Sequence, residues 1–204
     1  MKAGRSGVTA RTPKSILFGA GTVHKNLKYE NGEWNFESSV IGASSGGSSF
    51  KITPEITQID IDGVWVKVKG LSEVKTGENA ELSVKLIEIN KDFVKGSVVG
   101  KDGTSDDPNY DLIESKPDIE EGDYFENIAF VGTTLDARNI IVILDNALCT
   151  SGLEGGGEDK KGNAYEYTFS CYADLDSDHD TLPYHIYFPK ESTSTSGTGT
   201  GTGN

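Results

Sequence analysis

The sequence predicts a mainly β protein, a β-sandwich or barrel-like fold with one short flanking α-helix. Three observations support this prediction. Apolar and polar residues alternate with a period of two in several short runs, turn-forming pairs such as Asp62-Gly63 separate these runs, and only one segment shows helical spacing. The 204 residues can form one core of ordinary size, and no break in composition divides the interior. We therefore expect one folded domain over residues 15–190.

The two ends of the chain differ in composition from this domain. Residues 1–14 hold four basic residues and no apolar run, which predicts a flexible N-terminal arm. Residues 191–204 are Ser, Thr and Gly between Glu191 and Asn204, and tracts of this kind behave as flexible coils. A disordered C-terminal tail is expected there.

The strongest strand pattern is IDIDGVWVKVKG at residues 59–70, where two alternating runs meet at Asp62-Gly63. Asp and Gly tolerate the positive φ angles of a tight turn, so the pattern predicts a β-hairpin. Its core side would hold Ile59, Ile61, Val64, Val66 and Val68. Trp65 would lie on the polar face, where a large aromatic side chain is favourable only if a neighbouring chain covers it.

Other elements follow from the same reasoning. After a break at residues 75–77, alternation from Ala80 to Leu86 predicts a strand that completes a meander. Asn90 precedes apolar residues at helical spacing, which predicts a short capped helix at residues 91–99. Residues 101–123 are acidic and typical of a loop. Further strands are expected at residues 16–24, 52–61, 125–134, 139–149, 164–173 and 184–188, with a glycine-rich loop at residues 151–163.

Charge and cysteine content limit the function. There are 19 basic and 32 acidic residues, and the net charge of −13 argues against wrapping DNA by counterion release. Solubility explains this charge most simply, although a wall along which DNA must slide would also be acidic. Cys149 and Cys171 lie in apolar runs, which favours buried free thiols over a disulfide. Without a signal peptide or a membrane-length apolar run, synthesis in a reducing cytoplasm is expected.

One acidic segment could bind a metal. Asp174, Asp176, Asp178 and Asp180 alternate as calcium ligands do. However, His179 and His185 occupy positions at which a calcium loop has Gly and Glu. An acidic surface turn is therefore favoured, and the four aspartates are weak metal candidates.

No segment has the pattern of a catalytic or cofactor site. Gly19-Ala20-Gly21 lacks the third glycine of a dinucleotide-binding loop, so close backbone packing is the better explanation. There are three histidines, but no serine lies in the pattern of a nucleophile elbow. His24 is interpreted as a polar residue at a strand end. We expect no enzyme activity and no cofactor.

A long aromatic connection, residues 27–50, is uncommon in a compact domain unless it binds something. It could form a hairpin that turns at Asn31-Gly32 and packs on its own domain, or an arm that contacts a neighbouring subunit. The two interpretations are compatible, and both stay open. The candidate contact residues are Tyr29, Trp34, Phe36, Gly42, Ser44, Ser45, Gly46, Gly47 and Phe50, together with Trp65.

Three sequence blocks resemble the major tail tube proteins of bacteriophages with long non-contractile tails. They are GAGTVHKNL at residues 19–27, IGASSGGSSFKITPEI at 41–56, and IDIDGVWVKVKGLSEVKTGENAELSVKLIEI at 59–89. The resemblance is strong over residues 19–89, weaker to residue 188, and absent from the C-terminal tract.

This resemblance implies a β-sandwich flanked by a helix, six copies closing into a ring, and rings stacking into a hollow tube. One sheet of each subunit would line the lumen, through which double-stranded DNA passes without specific binding. The loop at residues 27–50 would contact the adjoining ring. Partners would be further copies, the tape measure protein, and the tail terminator and tail tip proteins, all in the virion tail and without a membrane. Asp60, Asp62 and Glu81 are the acidic candidates for the lumen, although Lys67, Lys69 and Lys85 interrupt their face.

Two other classes of protein stay open. One is a related ring-forming protein, such as a tail terminator or a secretion-system tube subunit. The other is a carbohydrate-binding β-sandwich or adhesin, in which Tyr29, Trp34 and Trp65 could be sugar platforms.

Overall fold

The computed structural model describes residues 7–9, 11–156, 159 and 162–190. The prediction of a mainly β fold is confirmed. The strands are β1 (Thr22–Lys25), β2 (Tyr29–Glu30), β3 (Glu33–Trp34), β4 (Ser49–Gln58), β5 (Glu73–Leu86), β6 (Gly100–Gly103), β7 (Leu112–Ser115), β8 (Phe125–Thr133), β9 (Asn139–Cys149), β10 (Tyr165–Cys171) and β11 (Tyr184–Tyr187). The helices are α1 (Phe36–Ser39) and α2 (Lys91–Ser97), and single 3-10 turns occur at Thr12–Lys14 and Glu121–Asp123. In the part of the chain that is described, none of the helices has the length and hydropathy needed to cross a bilayer.

Seven strands form one antiparallel sheet in the order β1-β8-β9-β10-β5-β4, with β11 added beside β9. β9 pairs with three of the other six strands of the sheet. It pairs with β8 on one side, while β11 and the end of β10 share its other side. The small β2–β3 and β6–β7 pairs lie outside this sheet.

The core lies on both faces of the β8–β9 hairpin. These strands are almost continuously apolar, as expected for strands that are covered on both sides. On one face, Phe93 of α2 packs among Phe125, Tyr167 and Phe169 in the main cluster, with ring centroids 5.3 to 5.9 Å apart. On the other face, a second cluster receives Trp34 and Phe36 from β3 and α1. The β8–β9 hairpin is therefore the centre of the domain.

Most of the C-terminal predictions are confirmed. Strands occupy the segments predicted at residues 125–134, 139–149, 164–173 and 184–188. The predicted helix is α2, and the Asn90 side chain caps it by accepting a hydrogen bond from the Asp92 N–H at 2.9 Å. The predicted loop at residues 101–123 contains most of the β6–β7 pair, a short hairpin that its polar sequence did not reveal.

The hairpin predicted at residues 59–70 is wrong. β4 and β5 pair with each other from Ser49–Ser83 to Gln58–Glu73, and residues 59–72 form the loop that joins them. The turn at Asp62-Gly63 exists, with Gly63 at φ +82°, but it lies inside this loop. The break predicted at residues 75–77 also lies inside β5, opposite a β-bulge between Glu55 and Ile56. The five residues assigned to the core of the wrong hairpin are exposed: Ile59, Ile61, Val64, Val66 and Val68.

The early part of the chain is less regular than predicted. Of the strand expected at residues 16–24, only β1 forms, and Leu17 adds an isolated bridge to Thr134. Within the predicted N-terminal arm at residues 1–14, the described part includes a 3-10 turn at its end. Residues 1–6 and 10 of that arm lie outside the described residues, as does the whole tail predicted at residues 191–204.

Candidate assembly surface

The outer half of the β4–β5 hairpin extends past the part of β5 that the core covers. Every residue of β4 is exposed except Ile52, which is half-buried. In β5, burial begins at Ala80, and the preceding residues from Glu73 are exposed or half-buried. β4 is also an outer strand of the sheet, and Pro54 within it suits an edge position because proline has no N–H to donate. We call β4 together with residues 73–79 the hairpin arm.

The loop at the end of this arm, residues 59–72, exposes a cluster of apolar side chains. Trp65 is 96% exposed and Val66 is 74% exposed. The loop is nevertheless held in place, because the Ile59 N–H donates to the Ser72 carbonyl at 2.9 Å. The Val68 N–H also donates to Ser72 Oγ, at 2.8 Å. An ordered loop that presents a tryptophan to solvent is typical of an interaction surface. We call residues 59–72 the tip loop.

The aromatic part of the long connection packs on its own domain. β2 and β3 form a hairpin whose central residues, Asn31 and Gly32, have φ angles of +54° and +90°, as a tight two-residue turn requires. The Trp34 ring lies 5.0 Å from the Tyr187 ring and 6.2 Å from the Phe36 ring, centroid to centroid. The structure therefore shows the first of the two interpretations, a hairpin that turns at Asn31-Gly32 and packs on its own domain. Contact of these side chains with a neighbouring subunit stays a prediction, with Tyr29 the most exposed of them.

The Gly/Ser part of the connection lies beside the end of β5. The Ser45 N–H donates to the Lys85 carbonyl and the Ile87 N–H donates to the Ala43 carbonyl, both at 3.0 Å. Ser44 bridges Leu86, so the segment extends the line of β4. The remaining predicted contact residues lie in this segment or at the start of β4, which follows it: Gly42, Gly46, Gly47 and Phe50. Their contact with another subunit also stays a prediction.

The structure separates the acidic candidates for the lumen. Asp60 and Asp62 lie in the tip loop, whereas Glu81 lies on β5 and accepts a hydrogen bond from Asn79 Nδ2 at 3.1 Å. Because the predicted meander does not exist, these carboxylates do not share one sheet face. Which residues line a lumen therefore stays a prediction.

The aspartates considered for calcium lie in the loop between β10 and β11. Asp174, Asp176, Asp178 and Asp180 are all exposed. Within the described ranges, no group of three or more His, Cys, Asp or Glu side chains is placed to hold a metal ion.

His24 is buried, although the sequence placed it as a polar residue at a strand end. Its Nδ1 lies 2.9 Å from Ser39 Oγ, and its Nε2 lies 2.8 Å from Thr22 Oγ1. Since Ser39 Oγ donates its proton to the Asn35 carbonyl, Nδ1 of His24 is the donor to Ser39 Oγ. Burial lowers the pKa of His24, and a hydrogen bond with the Phe36 backbone partly opposes this shift. This histidine fastens β1 to α1, a role that no sequence pattern indicated.

The close packing predicted for the glycines is confirmed at Gly21 but not at Gly19, which has open space around it, and the cysteine prediction is confirmed. Gly21 has φ +69°, and a Cβ there would lie 2.4 Å from the Phe130 ring, so only glycine allows this close approach. Cys149 and Cys171 are buried and free. Burial raises the pKa of the Cys171 thiol to about 11, which keeps it protonated and unreactive.

Comparison with known proteins does not identify a family. No protein-family model matches the chain, and no curated protein matches it. Among solved structures, a chain from the virion of a native gene transfer agent particle aligns with a TM-score of 0.40 and 12% sequence identity. The alignment covers 76% of this chain and 92% of that chain. A similarity this low does not establish a common fold.

Proposed function

We propose that this chain is a structural, non-enzymatic virion protein that assembles into stacked hexameric rings. The rings form the hollow tail tube through which double-stranded DNA is delivered into a bacterial host. The observation that carries this proposal is the hairpin arm, whose outer half is largely exposed and ends in an apolar tip loop.

The arm has three features that association with another copy would stabilise. An isolated two-stranded hairpin is only marginally stable in water, and the outer half of this hairpin has no covering layer among the described residues. The ten residues of β4 present an edge that can pair with another strand. The tip loop exposes Trp65 and its apolar neighbours. A self-associating subunit covers all three, whereas a monomeric enzyme or lectin leaves them in water.

The ring and the tube come from the sequence resemblance in the blocks at residues 19–27, 41–56 and 59–89. Pairing of β4 with the sheet of a neighbouring copy would continue that sheet around a central channel, and closure would remove the open edge. The net charge of −13 suits a wall that DNA passes without binding. The proposed partners are other copies, the tape measure protein, and the tail terminator and tail tip proteins.

Sedimentation velocity and negative-stain electron microscopy over a range of concentrations test this function. We expect regular tubes with a central channel at high concentration. Isolated rings that never stack would favour a tail terminator or a related ring-forming protein. A protein that stays monomeric at every concentration and gives a clear signal on a glycan array would contradict the proposal in favour of a carbohydrate-binding role.

A further inference from the structure

We infer that a groove beside β8 and β10 receives the tip loop of a second copy of the chain. This inference rests on the proposed function, because it names the surface to which the exposed tip would bind. The groove is open and has a volume of about 1090 Å³. We call it the tyrosine groove. Its lining residues are Glu121, Tyr124, Phe125, Glu126, Asn146 and Tyr172, followed by the loop residues 173–177 and His179.

The groove combines aromatic and apolar surface in a fixed arrangement. The rings of Tyr124 and Tyr172 meet edge to face, with centroids 5.5 Å apart and planes at 77°. Asn146 Nδ2 donates to the Tyr172 carbonyl at 3.2 Å and so fixes the strand end. Leu175 is 88% exposed at the side of the groove. Aromatic and aliphatic surfaces of this kind bind an aromatic side chain such as Trp65.

The groove is strongly acidic. Its lining includes Glu121, Glu126, Asp174 and Asp176, and no lysine or arginine lines it in the described part of the chain. Glu126 is paired with Lys28 at 2.6 Å. The negative potential extends to Asp145, whose pKa is raised chiefly by burial and further by the charges of Glu126 and Asp174, against the opposing effect of His185. A cationic aromatic segment is the complementary ligand.

The tip loop contains such a segment. Residues 65–69 are Trp-Val-Lys-Val-Lys, with two positive charges and no acidic residue. Lys67 pairs with Glu73 across exposed surface, a contact that contributes little and can be exchanged. Lys69 forms no ion pair among the described residues. The segment therefore offers an exposed tryptophan next to one uncompensated and one weakly held positive charge.

The groove is not filled by the tip loop of its own chain, so we assign the tip of another copy to it. β5 leaves its partner β10 at the Glu81–Ser170 pair, close to where Tyr172 begins the groove loop. β5 extends from there to Glu73, and at about 3.4 Å per residue this distance is roughly 27 Å. In its own chain, no residue of the tip loop lines the groove, and Trp65 is exposed to solvent. A contact between the tip of one copy and the groove of the next leaves a free tip and a free groove at the ends, so association repeats.

Cysteine cross-linking tests the contact directly. Val66→Cys, which is exposed and keeps Trp65, and Leu175→Cys are made in separate chains and mixed under mild oxidation during assembly. The native Cys149 and Cys171 are buried, so background cross-linking is low. We expect a disulfide-linked dimer from the mixture. The control pairs Val66→Cys with Tyr110→Cys, another exposed position in the β6–β7 loop, and should give about tenfold less dimer.

Charge reversal provides an independent test that keeps the tryptophan. Lys67→Glu with Lys69→Glu, or Asp174→Lys with Asp176→Lys, places like charges together and should raise the critical concentration for assembly roughly tenfold or more. Combining both pairs of changes should restore assembly towards the wild-type value.

The outcomes separate this inference from the proposed function. Tubes that form without a preferential link between positions 66 and 175, and without rescue by the combined charge reversal, contradict binding of the tip loop in the groove and leave the tube function standing. A wild-type protein that never assembles overturns both. A preferential cross-link together with charge rescue supports both.

Discussion

Two long hairpins lie in the same sheet, and they differ in what covers them. The β8–β9 hairpin is buried on both faces, with α2 on one side and the β2–β3 hairpin with α1 on the other. The β4–β5 hairpin is of similar length, but its outer half is exposed on both faces. Both have long antiparallel ladders, and a single bulge interrupts the one between β4 and β5. Backbone pairing alone therefore does not decide which hairpin is self-sufficient, because the covering side chains provide most of the stability.

The two hairpins also differ in the role that we assign to them. The β8–β9 hairpin stabilises the subunit, whereas we propose that the β4–β5 hairpin stabilises contacts between subunits. In β5 the change from one role to the other occurs near Ala80, where alternate side chains begin to be buried.

The largest expected effect is the difference in lost stability between a substitution in β9 and the matched substitution in β4. Leu144→Ala in β9 removes a fully buried side chain and should lower the free energy of unfolding by about 2–5 kcal/mol. The matched change Ile56→Ala in β4 removes an exposed side chain and should change it by less than about 0.5 kcal/mol. Urea unfolding of unassembled subunits measures both values. Equal losses would show that β4 is covered within the subunit.

The next effect concerns assembly and leaves the subunit fold intact. Trp65→Ala should keep the free energy of unfolding within about 0.5 kcal/mol of wild type, because the ring is exposed. Loss of an interface tryptophan costs about 2 kcal/mol or more, so the critical concentration for assembly should rise roughly 30-fold. Pelleting assays measure it, with Tyr110→Ala as the exposed aromatic control. An unchanged critical concentration would remove the tip loop from the interface.

A smaller effect tests how closely the chain before β1 packs against the buried hairpin. Gly21→Ala would place a methyl group against Phe130 at a φ angle that favours glycine, and should destabilise the subunit by about 1–3 kcal/mol. Gly156→Ala, at a position with no atom within 4 Å, is the control and should have little effect. Thermal unfolding compares the two, and a stable Gly21→Ala variant would show that Phe130 can move.

The smallest effect is a pH dependence of stability that comes from His24, the buried residue that joins β1 to α1. Because burial lowers the pKa of His24 below its ordinary 6.5, the folded chain binds fewer protons than the unfolded chain below about pH 6.5. The contribution to stability is thus present above pH 6.5 and is lost as pH falls through the folded-state pKa. Its slope is at most about 1.4 kcal/mol per pH unit. His24→Gln should flatten the stability profile between pH 7 and 5, and a variant with the wild-type slope would contradict this role.

The sequence predicted the buried hairpin better than the exposed one, for a physical reason. The apolar runs of β8 and β9 reflect covering layers within the chain, so their bounds follow from composition. The alternation at residues 59–70 has no covering layer in the subunit, and the same pattern was therefore mistaken for a hairpin with a core side. Within that pattern, Trp65 on the polar side was the residue from which cover by a neighbouring chain was predicted. The tyrosine groove joins residues from three separate segments and could not be predicted, because it depends on the register of β8, β9 and β10.

Hydrogen exchange of the free and the assembled protein tests the central claim most directly, since it reports on both hairpins in one experiment. In free subunits, amides of β8 and β9 should exchange slowly and those of the tip loop and outer hairpin arm rapidly. On assembly, the arm and the tip loop should become protected while β8 and β9 change little. Assembled protein in which residues 49–79 still exchange as in the free subunit would contradict the assignment of the β4–β5 hairpin as the assembly arm.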